Sequence, residues 1–195
     1  MTPDINLSKN IILVDASYID KVAFDLTVNF ERMLMRQIPK ADLAHWLDCV
    51  ALDGGITPGE NDIQVIFIHD KGSKALENYS PATFETEIHG KAFKDNLGEF
   101  SMLAYPVEKN ITTKDFFFLD TLTVLLDSDK VENIMVIPDT EEYGRAVCNE
   151  IQKNKDKNKN VVLFGMEPQM GTGFSQQILG YSIMSALGIR GDELR

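Results

Sequence analysis

Five short apolar runs set the rhythm of the chain. Lys9-Asn10 leads into Ile11-Ile12-Leu13-Val14, which ends at Asp15. A continuous apolar run between polar residues is what a strand covered on both faces requires, as in a parallel sheet. Ile63–Ile68, closed by His69-Asp70, repeats the pattern. Phe100–Tyr105 (stopped by Pro106), Ile134–Ile137 and Val161–Phe164 complete it. Between the runs the period changes. Ile19, Val22, Ala23, Leu26, Phe30, Met33 and Leu34 recur at three- and four-residue spacing, predicting a helix that Pro39 stops. Further helices are expected from about Ala41 to Leu52, from Lys114 to Leu126 behind Thr112-Thr113, and from Glu141 to Lys153. Residues 71–97 carry only weak patterns and predict an excursion with a short helix or hairpin. Phe174 to Leu187 reads as a last helix, apolar on most sides through Ile178, Leu179, Tyr181, Ile183, Met184 and Leu187.

Strands alternating with helices imply right-handed βαβ units and the α/β class. The expected architecture is three-layer α/β/α around a central, mostly parallel five-stranded sheet. A chain of 195 residues fits one domain. Residues 1–166 would form its α/β body, and 167–195 a C-terminal helix packed on that body or at a subunit interface. A helix apolar on two sides needs two partners, so a homo-oligomer contact through it is expected.

Net charge is −11, a field that repels phosphate backbones but suits an acidic pocket for divalent cations. No apolar run approaches the roughly 20 residues of a membrane span. Met1–Asn6 lacks the basic patch and apolar stretch of a signal peptide, so the cytoplasm is the expected location and no membrane the expected partner. The two cysteines, Cys49 and Cys148, read as small core residues without a Cys-x-x-Cys or Cys/His partner.

In open α/β sheets ligands sit beyond the carboxyl ends of the strands. The first run ends in Asp15. The fourth ends in Pro138-Asp139-Thr140-Glu141-Glu142, and Asp115 and Asp120 lie on the helix before it. Carboxylates converging on one rim are what Mg²⁺ or Mn²⁺ needs, since these hard cations take oxygen ligands and activate water. In order and placing, Ile11–Asp15, Asp115–Leu122 and Ile134–Tyr143 resemble the PIN-like ribonuclease superfamily, in particular its NYN branch. The resemblance spans about residues 9–166 and implies, numbering the five runs in chain order, a sheet order of 3-2-1-4-5. It further implies a nuclease (hydrolase) acting on RNA, with Asp15, Asp120 and Asp139 as ligands of Mg²⁺ or Mn²⁺. Glu142 or Glu141 would complete the catalytic set. Asp115 and Asp120, about 140° apart on a helix, do not share one face, and Asp120 is preferred.

Bland readings stand beside these. Asp15 reads equally as a helix cap or loop residue, with Ser17 as able to cap the next helix, and Asp139 as an N-cap, with Glu141-Glu142 suiting the first turn of that helix. Two other classes of function therefore stay open: a catalytically inactive PIN-like binding or assembly module, and a flavodoxin-like domain that binds a phosphorylated small molecule at the same rim. Lysines around that rim, with Lys71, Lys74, Lys91, Lys94 and Lys114 as candidates, would favour the nuclease.

Overall fold

The computed structural model describes residues 6–195, so most of the amino-terminal stretch read for a signal sequence lies outside it. At its centre is β1 (Asn10–Asp15), in which every residue is buried. It pairs in parallel with β3 (Asn61–Asp70) on one side and β7 (Asn133–Ile137) on the other. Beyond β3 lies β6 (Gly98–Val107), and beyond β7 lies β8 (Asn160–Gly165), both parallel. The five apolar runs therefore take the order 3-2-1-4-5.

The sheet is nonetheless seven-stranded, not five-stranded: β5 (Lys91–Asp95) and β9 (Ser175–Ile178) extend its two edges. β5 runs antiparallel to β6 and comes from the excursion, where Phe93 stacks on Phe100 with ring centroids 4.7 Å apart. At its foot Gly98 (φ +133°) lies so close to β3 that a Cβ there would fall 2.1 Å from the Asn61 carbonyl oxygen. The rest of the excursion holds β4 (Tyr79–Ser80), paired with β2 (Ala41–Asp42), and a π-helical turn at Phe84–Ile88. Asp20 clasps it to the first helix by accepting from the Asn78 backbone N–H (2.8 Å) and side-chain amide (3.0 Å).

Successive residues of β1 face opposite sides of the sheet, and each side has its own helices. On one, α1 (Ala16–Leu34), α2 (Leu43–Asp53) and α5 (Leu179–Ala186) bring Tyr18, Ile19, Trp46, Leu47 and Ile183 onto Ile12, Val14 and Phe67. On the other, α3 (Lys114–Asp127) and α4 (Thr140–Lys153) bring Phe118, Leu122, Val147 and Ile151 onto Ile11, Leu13 and Val136. Each such side chain contributes roughly 1.5–3 kcal/mol by leaving water.

The last helix is shorter than its periodicity predicted. Ser175–Ile178 is an edge strand, and the helix begins only at Leu179. Polar Ser175, Gln176 and Gln177 bury little; Gln176 instead bonds both backbone groups of Gln169 at 2.6 Å. Within α5, Leu179 and Ile183 are buried against elements of the same domain, and Tyr181 is exposed. Its apolar surface therefore does not by itself demand a second subunit. Among the described residues no helix is long and apolar enough to cross a membrane.

Candidate functional site

The chain leaves β1 through α1 on one face of the sheet and returns to β7 through α3 on the other. The ends of β1 and β7 thus flank the point where strand order reverses, where an open α/β sheet usually offers a crevice. Here it is filled. Asp15, fully buried, caps α1: its Oδ1 accepts from the Tyr18 N–H at 3.1 Å and lies 3.3 Å from the Lys114 ammonium. Tyr143 stands at a break in α4 (φ −139°, ψ 23°), and its hydroxyl donates to Oδ2 of Asp15 at 2.5 Å. Across the gap Asp139 caps α4, its Oδ1 accepting from the N–H groups of Glu141 and Glu142 at 3.1 Å. The hydroxyls of Tyr18 and Thr140 meet at 3.3 Å and join the two capped turns. Outside them Lys21 pairs with Glu141 at 2.8 Å.

Burial raises the pKa of Asp15 above its ordinary 3.8, against the opposing pull of Lys114 and Tyr143. Burial, and then the Asp15 carboxylate, push the Tyr143 hydroxyl far above 10. The arrangement is a closed ion pair with a hydroxyl clamp.

The acids do not fit a Mg²⁺ or Mn²⁺ site as they stand. Both oxygens of Asp15 have protein partners. Asp120 is exposed, while Phe118 and Leu122, two positions to either side, are buried, so it lies on the outer face of α3. Glu141 and Glu142 are exposed. Among the described residues no three His, Cys, Asp or Glu side chains are grouped to hold a metal ion. Lys114, named as a rim lysine, does reach the rim, but as the partner of Asp15.

Two open spaces lie two strands away, beyond β3 and β6. One cavity, about 680 Å³, is lined by Asp70–Lys74 and Val107–Asn110. It carries three lysines, Lys71, Lys74 and Lys109, against two acids, Asp70 and Glu108, and Lys71 pairs with Glu108. Among the described residues Lys74 and Lys109 have no ion-pair partner. The second cavity, about 440 Å³, shares Lys71, Ser73 and Lys74 and adds His69, Phe84, His89 and Tyr105, with Glu85 as its one acid. His69 stacks on Phe84 with centroids 3.8 Å apart, and burial lowers its pKa. Nδ1 of His89 accepts from the Ala104 N–H at 3.0 Å, so in the neutral ring the proton is on Nε2, a donor. Lys91 and Lys94 are exposed on the edge strand, and Lys94 pairs with Glu60 at 3.8 Å.

His69 lies at the end of β3 and Lys71 and Lys74 follow it, a position the sequence makes legible as a rim. Nothing local marks His89 in the sequence: a π-helical turn delivers it from the excursion. A second missed feature is the carboxyl pair of Asp48 and Asp95. One oxygen of Asp48 is shielded and has no hydrogen-bond partner among the described residues, and burial, then Asp95, push its pKa up to about 7. The expectation that neither cysteine has a histidine partner is corrected. Cys49, half-buried on α2, has its Sγ 3.7 Å from Nε2 of His45.

A family model, described as a family of unknown function (DUF6621), matches residues 4–194. No curated protein and no solved structure matches the chain.

Proposed function

We propose that this chain, which belongs to the DUF6621 family of unknown function, is a non-catalytic binding domain for a phosphorylated small molecule held beyond the ends of β3 and β6. The observation that carries the reading is the gathering of Lys71, Lys74 and Lys109 on one cavity in a chain of net charge −11. Ammonium groups and the Ser73 hydroxyl are suited to phosphate oxygens, and charge-assisted bonds of this kind are the strong ones. The adjoining space offers Tyr105 and the Nε2–H of His89 to the uncharged part of the ligand. Small size is part of the reading. A long polyanion such as RNA would meet the repulsive field of the whole protein, whereas a single phosphate feels mainly its contacts.

The metal-dependent ribonuclease reading requires Asp15 to shed both Lys114 and Tyr143 and Asp120 to leave the outer face of α3, which weighs against it. Calorimetric titration with inorganic phosphate and with a nucleoside monophosphate tests the proposal. Both should bind, and Lys74→Ala combined with Lys109→Ala should weaken them about tenfold or more, since a bond to a charged group contributes roughly 1.5–3 kcal/mol. Absence of binding by either probe would refute it. Cleavage of RNA in Mn²⁺, abolished by Asp15→Asn, would replace it with the nuclease.

A further inference from the structure

Away from the rim, where α2 packs on α5, three polar side chains meet. His45 and Cys49 are one turn apart on α2 and so share a face. Nε2 of His45 lies 3.7 Å from Sγ of Cys49 and 2.8 Å from the Ser185 hydroxyl, which α5 supplies. We propose that His45 and Cys49 chelate a thiophilic divalent cation, Zn²⁺ or a cation of similar size and softness, with Ser185 beside the open positions.

Distance is the first argument. In a tetrahedral zinc site, Zn–S of about 2.3 Å and Zn–N of about 2.0–2.1 Å place the two donor atoms about 3.5 Å apart. The observed separation is within a few tenths of an ångström of that. A metal between them would replace the contact of the two side chains, and imidazole with thiolate is a donor pair that favours Zn²⁺ over Mg²⁺ or Ca²⁺. Electrostatics is the second. Asp53 lies on α2 and Asp42 caps it, while the helix carries no Lys or Arg, so the local field attracts a cation. Access is the third: His45 is exposed and Cys49 half-buried, which leaves a path from solvent.

Binding is a ligand exchange without redox change. The thiol loses its proton to solvent as the sulfur–metal bond forms, Cys–SH + M²⁺ giving Cys–S–M⁺ + H⁺, and the metal keeps its oxidation state. Among the described residues no third His, Cys, Asp or Glu side chain joins the pair. The remaining positions fall to water or the Ser185 hydroxyl, so the site is an exchangeable one and not a closed structural zinc.

Co²⁺ added to the reduced full-length chain is the test, because a thiolate bound to Co²⁺ gives a charge-transfer absorption that an oxygen-only site lacks. One Co²⁺ per chain should produce this band, and Zn²⁺ should abolish it. Cys49→Ser should eliminate the band. His45→Ala should weaken binding about tenfold or more, since loss of even an outer partner of a metal ligand costs 10–100-fold. Cys148→Ser, on the opposite face of the sheet, should leave the band unchanged, and far-UV circular dichroism checks that each variant is folded. No thiolate band in excess Co²⁺ overturns the proposal. So does a band that survives Cys49→Ser, or an affinity untouched by His45→Ala.

Discussion

Replacing Lys114 by Met should expose how much of this fold hangs on the closed ion pair. Asp15 is fully buried, and without the ammonium 3.3 Å away it would keep only the Tyr143 hydroxyl and the Tyr18 N–H. Breaking a buried pair from one side costs about 3–5 kcal/mol, because an uncompensated charge stays behind. That is a large part of the roughly 5–15 kcal/mol that holds a typical domain together. The loss should depend on pH, in a direction the chemistry fixes. Burial already raises the pKa of Asp15 above 3.8, and losing Lys114, which pulls it down, raises it further. An acid that binds its proton more tightly when folded adds a penalty absent below the unfolded pKa, and this grows as pH climbs through the folded value. Lys114→Met should therefore be weakest at about pH 8 and recover towards the parent at about pH 5. In an Asp15→Asn background, where the cap persists but the charge does not, the same substitution should cost much less. Urea unfolding followed by the fluorescence of Trp46, buried on α2, measures all four combinations at both pH values. An equal loss at both pH values, or an equal loss in the Asp15→Asn background, would refute the reasoning.

How much of this could be read from the sequence depends on where each residue's partners come from. β1 was legible because four consecutive apolar side chains, short and bounded by polar residues, suit a strand covered on both faces. β9 was not, because Ser175-Gln176-Gln177 pairs through its backbone at a sheet edge, and Ile178, Leu179 and Ile183 fit a helical period as well. β5 was hidden because only Phe93 is anchored, and its partner is on the next strand. At the candidate site the sequence correctly places Asp15 and Asp139 at strand ends, where capping and metal binding are both available. It does not decide between them, since the deciding groups arrive from afar: Tyr143 is 128 positions from Asp15. The His45–Cys49 spacing lay in plain view. A four-residue spacing on a helix that reads as core does not show that the ring and the thiol meet, and only packing adds Ser185.

Tyr143→Phe removes one charge-assisted bond from Asp15 and should destabilise by about 1.5–3 kcal/mol in urea unfolding at about pH 8; no change would mean that the hydroxyl does not clamp the carboxylate. Gly98→Ala should cost about 2–4 kcal/mol, combining backbone strain at φ +133° with a Cβ driven into the Asn61 carbonyl. Gly191→Ala, with nothing near its Cβ, should stay within about 0.5 kcal/mol, and equal effects would discredit the packing argument. The last prediction concerns the C-terminal turn, Gly191–Leu194, which Arg36 ties to the end of α1. The guanidinium grips Glu193 through Nε at 2.8 Å and Nη2 at 3.0 Å, and the Arg190 N–H adds a bond at 2.9 Å. Arg36 first, then the Arg190 backbone bond, lower the pKa of Glu193 from 4.5 to about 2. A depressed acid contributes stability above its unfolded pKa and loses it as pH falls through the folded one, so the tie should weaken between about pH 4.5 and 2. Arg36→Ala should return the Glu193 titration midpoint, read by NMR, towards 4.5 and speed amide exchange at residues 191–194 at neutral pH. If the midpoint stays low in that variant, the bidentate grip is not what holds the proton off.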